Sequence, residues 1–316
     1  SAGVRGASSR EAADCPPAQL SHWFAYYRAI LLNYQGRNRE ALQEFAHIGG
    51  LDPVRYSWML QSFVLVKLAT LDFEGAIAVC RDILRHAPSH WWVRCRMAEA
   101  YLAKGAPAAG LREFARAERA AAPEIRREVL TWHGEVLLWL GEYEQALAKL
   151  DKAIALGAKT FVYGWRGAAR LKLGAHAPAI EDLDRAVELD AKDFEARVWR
   201  GEAYRLLGRH AEALADLDHV VRRGEESYWT YFNRALAKDS LGDAAGMDAD
   251  FDRIPREVTS FIARRLGLRG DAALGRARKR KILTAGLEMA KGVRRWEGYV
   301  QSIWMRERPL LHGRSS

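Results

Sequence analysis

The chain has 316 residues, with 49 Lys and Arg against 40 Asp and Glu, a length that allows about two ordinary domains. No apolar run reaches the ~18 residues needed to cross a bilayer, so no membrane span is expected. The charge excess lies at one end: residues 256–316 hold 15 basic and 5 acidic side chains, while the first 255 residues are nearly neutral.

Residues 1–17, SAGVRGASSREAADCPP, are polar, lack the apolar core of a signal peptide, and are expected to form a disordered leader. The chain opens on Ser1 rather than Met, so a longer parent protein is expected. Cys15, Cys80 and Cys95 are an odd count without metal-ligand spacing, which points to a reduced, cytoplasmic setting.

Over residues 18–255 the sequence repeats. Residues 165–187 read WRGAARLKLGAHAPAIEDLDRAV, and residues 199–221 read WRGEAYRLLGRHAEALADLDHVV. A marker residue recurs every 33 to 36 positions, at Gly36, Leu71, Gly105, Gly141, Gly174, Gly208 and Gly242. An apolar-periodic stretch precedes each marker and another follows it, as in Tyr143, Ala146, Leu147, Leu150, Ala153 and Ile154. That spacing follows the helical period, and a glycine at the marker suits the left-handed end of a helix. Each of the seven units is therefore a helix–turn–helix. One unit alone cannot bury its apolar face, whereas a stack buries a continuous core.

Within a unit, a small residue lies on the first helix (Ala29, Ala98, Gly134, Gly167, Gly201, Ala235). Another follows the marker by five (Ala41, Ala76, Ala146, Ala179, Ala213), with Gly110 and Met247 as departures. A large apolar residue comes four later: Phe45, Phe114, Leu150, Leu183, Leu217 or Phe251. Pro53 and Pro88 end units. In these residues the chain resembles the tetratricopeptide repeat family over roughly three quarters of its length. The resemblance implies an all-α fold: a right-handed α-solenoid of seven units with a basic C-terminal helical cap, its first helices lining a concave groove.

With the marker as position 15, Arg at position 7 recurs with Asp at position 23. The pairs are Arg166 with Asp182, Arg200 with Asp216, and Arg234 with Asp250; Arg28 with Glu44 follows the same rule. Their joint presence or loss points to structural ion pairs between the two helices of a unit, or with the preceding unit's position 23, as for Arg200 and Asp182. Trp132, Trp165 and Trp199 share position 6, Trp229 is one of five aromatics at position 2, and Trp139 lies two turns from Trp132. The resemblance places these positions on the groove, where aromatic rings grip a peptide or cement neighbouring helices. Glu99, Glu135 and Glu202 at position 9, with Arg205 a turn beyond, give an expected groove that is acidic and aromatic. The family's carboxylate clamp and asparagine ladder do not carry over: Tyr26 and Ile30 stand at clamp positions, and Asn233 is the one asparagine at position 6.

Residues 256–316 are expected to form capping helices and a tail. REVTSFIARRLG reads as a short helix ended by Gly267. Asp271 is expected to cap a longer one whose Ile282, Leu283, Leu287 and Met289 close the stack. Trp296, Tyr299, Ile303 and Trp304 recur at near-helical spacing and are expected to fold back on the last repeat. Arg276, Arg278, Lys279, Arg280, Lys281, Arg294 and Arg295 form a basic patch open to three readings: nucleic acid, an acidic protein, or a solvated cap.

No phosphate-cradling loop, catalytic triad or metal motif is present, so neither enzyme activity nor a cofactor or metal is expected. His133, His176, His210 and His219 are scattered, and Cys80 takes a packing position. The leading expectation is a scaffold binding a protein or peptide segment in the groove. The alternatives are a nucleic-acid or anionic-surface binder acting through the tail, and an accessory domain of a larger, transferase-type enzyme.

Overall fold

A breaker after every dozen or so apolar-periodic residues leaves each helix too short to stand alone, so packing decides the fold. The structure is a computed structural model that describes residues 17–35, 37–46, 57–159, 161–224, 227–268 and 275–292. Its described residues form helices and no strands, in two compact units that meet between Ala121 and Ala122.

The first unit holds three antiparallel pairs: α1 (Pro17–Tyr34) with α2 (Asn38–Ala46), α3 (Ser57–Ala69) with α4 (Phe73–His86), and α5 (Trp91–Ala103) with α6 (Pro107–Ala120). Its core runs from Ala25, Ala29 and Phe45 to Ile77, Cys80 and Val93. The second unit holds four pairs: α7 (Pro123–Leu140) with α8 (Tyr143–Ala155), α9 (Val162–Lys172) with α10 (His176–Leu189), α11 (Phe194–Leu206) with α12 (His210–Arg222), and α13 (Tyr228–Ser240) with α14 (Ala244–Arg253). In this unit the first helices of successive pairs also touch one another, making one continuous face.

The pair interface rests on the small residues. A Cβ added to Gly134, Gly167 or Gly201 would stand 2.7, 2.7 or 2.9 Å from Cγ of Leu150, Leu183 or Leu217. Those leucines are fully buried, each contributing about 2 kcal/mol through area removed from water. Gly110 departs from the alanine rule for the same reason seen from the other helix: a Cβ there would lie 2.6 Å from Cγ of Leu102.

Two short helices close the second unit. α15 (Arg256–Arg265) follows Pro255 and ends before the left-handed Gly267. α16 (Arg276–Gly292) lies against α13, with Ile282, Leu283 and Leu287 buried on Phe232, Leu236 and Ile262. Gly286 lets this helix come close, since a Cβ would fall 2.7 Å from Cζ of Phe232. The leader through Pro16, Asp271, and the segment bearing Trp296 to Trp304 lie outside the described residues.

The Arg–Asp rule extends one step beyond its sequence form. Arg166 Nε and Nη2 donate to Asp182 at 2.8 and 2.7 Å, while Nη1 donates to Asp151 on α8 at 2.7 Å. Arg200 forks onto Asp216 at 2.7 and 2.6 Å and reaches Asp184 on α10 at 2.7 Å. Arg234 forks onto Asp250 and reaches Asp218 on α12 at 3.1 Å. The link to the preceding pair thus goes to the second aspartate of Asp-Leu-Asp, Asp184, and not to Asp182. Bonding to Asp182 and Asp216 respectively holds the guanidinium pKa of Arg166 and Arg200 above its ordinary value.

Removing one partner of such a shielded pair strands a charge. Arg200→Ala is expected to lose about 3 kcal/mol in urea unfolding, whereas Arg209→Ala, from the exposed pair with Glu212, is expected to leave the urea midpoint nearly unchanged. Leu71 gives a test of opposite sign. It stands at the marker with φ 61°, where Gly105, Gly141, Gly174, Gly208 and Gly242 have φ from 74° to 85°. Its side chain is exposed, so little packing offsets the strain. Leu71→Gly is expected to stabilise the protein by about 1 kcal/mol, read as a higher urea midpoint at unchanged slope.

Candidate functional site

The face made by α7, α9, α11 and α13 carries a row of indoles. Trp139 lies 6.1 Å from Trp165 and 6.4 Å from Trp199, centroid to centroid, and Trp199 lies 5.9 Å from Trp229. The rings meet edge-on or tilted, the arrangements that aromatic quadrupoles favour. Trp165 and Trp199 at position 6 both meet Trp139 at position 13 of an earlier first helix, and Trp199 also meets Trp229 on the next one. Trp165 and Trp199 are only 5% and 7% exposed, so neighbouring rings and helices already occupy their faces. Trp132, Trp139 and Trp229 are half-buried and keep accessible surface.

A three-helix network anchors the row. Lys172, the last residue of α9, donates to Glu202 Oε1 at 2.9 Å, and Trp229 Nε1 donates to Glu202 Oε2 at 2.9 Å. The Lys172 ammonium lies 4.6 Å from the Trp199 centroid and 5.0 Å from that of Trp229, within cation–π range. One lysine thus ties α9, α11 and α13 together. Beside it, Arg205 Nε donates to Asn233 Oδ1 at 2.8 Å, and Asn233 Nδ2 donates to the Trp229 carbonyl at 3.2 Å.

The acidic groove is revised by this geometry. Glu99, Glu135 and Glu202 are all buried, not displayed. Glu202 is neutralised by Lys172, and Glu99 by Arg96 at 2.9 Å, with Arg96 stacked 5.0 Å from the Trp92 centroid. An uncompensated carboxylate in such surroundings would cost several kcal/mol, so Glu99 and Glu202 each have a cation brought inside with them. Glu195 sits at position 2 of its unit, half-buried; burial, then the neighbouring Asp193, pushes its carboxyl up to about 8. It is therefore mostly uncharged at neutral pH and adds little acid to the face. Lys172 and Arg96 were not legible as site residues. The usable signal is a lysine at position 13, where the preceding unit has Trp139, one unit before Trp199 and Glu202 and two before Trp229.

The basic patch is revised as well. Arg276 donates to both the carboxylate and the carbonyl of Asp239, and Arg280 Nε stands 3.5 Å from the same carboxylate. Lys279 donates to Asp248 at 2.8 Å and lies 5.2 Å from the Phe251 centroid. These cations dock α16 onto α13 and α14. Among the described residues Arg278 and Lys281 meet no carboxylate, and Arg294 and Arg295 lie outside the described residues.

Cys80 and Cys95 are buried free thiols; burial pushes Cys80 up to about 12 and Cys95 upward too. Among the described residues no group of three or more His, Cys, Asp or Glu is placed to hold a metal ion, and no helix is long and apolar enough to cross a membrane.

No protein-family model and no curated protein matches the sequence. Solved structures do match. A tetratricopeptide repeat protein from Parabacteroides merdae superposes with a TM-score of 0.59 at 16% identity, over 85% of this chain and 99% of that one. PilW, a type IV pilus biogenesis factor, gives 0.57 at 17% identity, over 67% of this chain and all of its own. A chain of the Cut9–Hcn1 hetero-tetramer of the APC/C gives 0.57 at 14% identity, over 82% of this chain and 47% of that one. At these identities the likeness carries the fold, and the chain has the tetratricopeptide-repeat fold.

If Lys172 is the charge that keeps Glu202 inside, Lys172→Met leaves that carboxylate stranded. The expected loss is about 3 kcal/mol in urea unfolding, part of it recovered in the Lys172→Met, Glu202→Gln double variant; equal losses in both would refute the pairing.

Proposed function

We propose that the chain is a non-catalytic scaffold that holds a protein or peptide segment against the first-helix face of its second unit. The observation that carries this reading is the tryptophan row: Trp132, Trp139 and Trp229 keep accessible surface, and Trp139 and Trp229 are fixed by Trp165, Trp199 and Glu202 beneath them. Large rings already held in one orientation lose little freedom on binding and bring much apolar area, which is the profile of interface anchors. The internal neutralisation of Glu202 by Lys172 makes this face apolar more than acidic, so the favoured partner presents apolar side chains.

The fold supports the same reading, since a stacked solenoid exposes long continuous faces. One structure of this fold is a chain of a protein hetero-tetramer. A catalytic reading gains nothing from Cys80 and Cys95, whose burial keeps them as thiols. Binding of nucleic acid through α16 is disfavoured because Arg276 and Lys279 are spent on Asp239 and Asp248.

The test compares capture of partners from lysate by the wild-type chain, by a Trp139→Ala, Trp229→Ala variant, and by an Arg278→Gln, Lys281→Gln variant, with and without nuclease. Loss of the two rings is expected to weaken a nuclease-resistant partner by tenfold or more, the effect of about 1.4 kcal/mol, while the charge variant binds as the wild type does. Circular dichroism melts of each variant separate lost contact from lost fold. Partners that survive ring removal but vanish with the charges or with nuclease would sink this reading.

A further inference from the structure

The sixth repeat carries more cations than its carboxylates bond. It is the one unit in which positions 4 and 7 are both arginine, Arg197 and Arg200. In the flanking pairs position 4 is Tyr163 or Tyr231, and the position-7 guanidinium lies 5.6 or 5.5 Å from that ring's centroid. Arg200 already forks onto Asp216 at 2.7 and 2.6 Å, so Arg197 Nη1 reaches the same carboxylate at only 3.3 Å. Among the described residues that is the one hydrogen bond of the Arg197 side chain, which is 16% exposed and whose Nε is buried without an acceptor. Arg94 shows how a position-4 arginine is satisfied elsewhere. Its Nη1 donates to Glu113 at 3.0 Å, its Nε and Nη2 donate to the Pro88 carbonyl at 3.1 and 2.7 Å, and Met97 rather than a second arginine stands at position 7. A guanidinium largely withdrawn from water with one long bond is a charge still short of a counter-ion.

The surroundings of Arg197 add positive charge. On α12, His219 lies 6.1 Å from Phe194, centroid to centroid, and makes no hydrogen bond among the described residues. In the third unit Arg116, at the same position 26, bonds Glu113. Burial, then the charges of Arg197, Arg223 and Arg222, hold His219 below its ordinary pKa, with Asp216 opposing them. Arg222 Nε turns back to the Asp218 carbonyl at 3.3 Å, as suits the end of a helix, whereas the Arg223 guanidinium meets no acceptor among the described residues. The acids at the start of α11 do not compensate: Asp193 caps the helix through the Ala196 amide at 2.9 Å, and Glu195 is mostly uncharged at neutral pH. All of these cations lie where α11 begins and α12 ends, at the edge of the pair away from its marker, Gly208. We infer that Arg197, His219 and Arg223 form a binding site for a phosphate group. A phosphate monoester brings about two negative charges and three acceptor oxygens, enough to meet arginines from both helices and a protonated imidazole together. A carboxylate, with one charge and two oxygens, leaves part of the cluster unbalanced. A phosphorylated side chain of a partner and free phosphate share this chemistry.

The experiment titrates the imidazole of His219 by NMR in the full chain, with its signal assigned from His219→Gln. Titrations run at constant ionic strength in chloride, in inorganic phosphate, and with a short phosphoserine peptide beside its unphosphorylated form. Bound phosphate favours the imidazolium, so it is expected to raise the His219 midpoint by about one pH unit over that in chloride. Arg223→Gln, at an exposed side chain that the fold does not need, is expected to remove most of that rise, and Arg197→Gln the rest, while Arg209→Gln at the opposite edge keeps it in full. Circular dichroism melts confirm that each variant is folded. A phosphoserine peptide that acts at about tenfold lower concentration than inorganic phosphate assigns the site to a phosphorylated partner, and equal concentrations assign it to free phosphate. A midpoint that phosphate does not move, an equal rise with the unphosphorylated peptide, or a rise that survives in folded Arg223→Gln and Arg197→Gln chains would overturn the proposal.

Discussion

The distance between the two helices of each pair governs the rest of this molecule. Glycine at position 8 in three consecutive units lets a leucine from the second helix lie where a Cβ would otherwise stand. At that separation the position-7 arginine on one helix reaches the position-23 aspartate on the other with both arms of its fork. The third nitrogen is then left over, and it points at the preceding pair. The aspartate at position 25 (Asp151, Asp184 or Asp218) meets it, so a contact within a unit becomes a contact between units. Stacking in turn sets the first helices side by side, and the tryptophan row follows from that.

Much of the charge in the repeats is therefore architectural. The buried carboxylates Glu99, Glu202, Asp182, Asp216 and Asp250 come with arginine or lysine partners, because a lone ion in such a setting is strongly destabilising while a paired one is tolerated and constrains geometry. A pair that bridges units fixes their register, a role apolar packing of alanine and leucine fills poorly since those side chains tolerate sliding. The consequence for binding is that the first-helix face carries rings and few free charges.

The basic helix obeys the same economy. Its apolar side closes the core, and its cations settle on Asp239 and Asp248 at the end of the last pair. What composition presents as a polycationic tail is, for residues 276–287, the charged rim of a cap. On α1, among the described residues, Arg28 reaches Glu44 of its own unit while Phe24, Tyr27 and Leu31 are exposed.

The period of about 34 residues, the left-handed marker glycines and the small-to-large contacts within a pair were all legible in the sequence, because each depends on residues of one helix–turn–helix. So was the joint presence of Arg166 with Asp182 and of its two counterparts. The destination of Asp151, Asp184 and Asp218, the burial of Trp165 and Trp199, and the placing of Lys172 between two indoles were not, since each depends on the angle at which one unit stacks on the next. That angle arises from many small contacts summed over an interface, and no local pattern encodes it. The sequence by itself determined the pairs and their repetition. The tertiary structure alone decided which side chains the stack seals inside and which it leaves exposed, because burial is a property of neighbours that the chain brings together from thirty residues away.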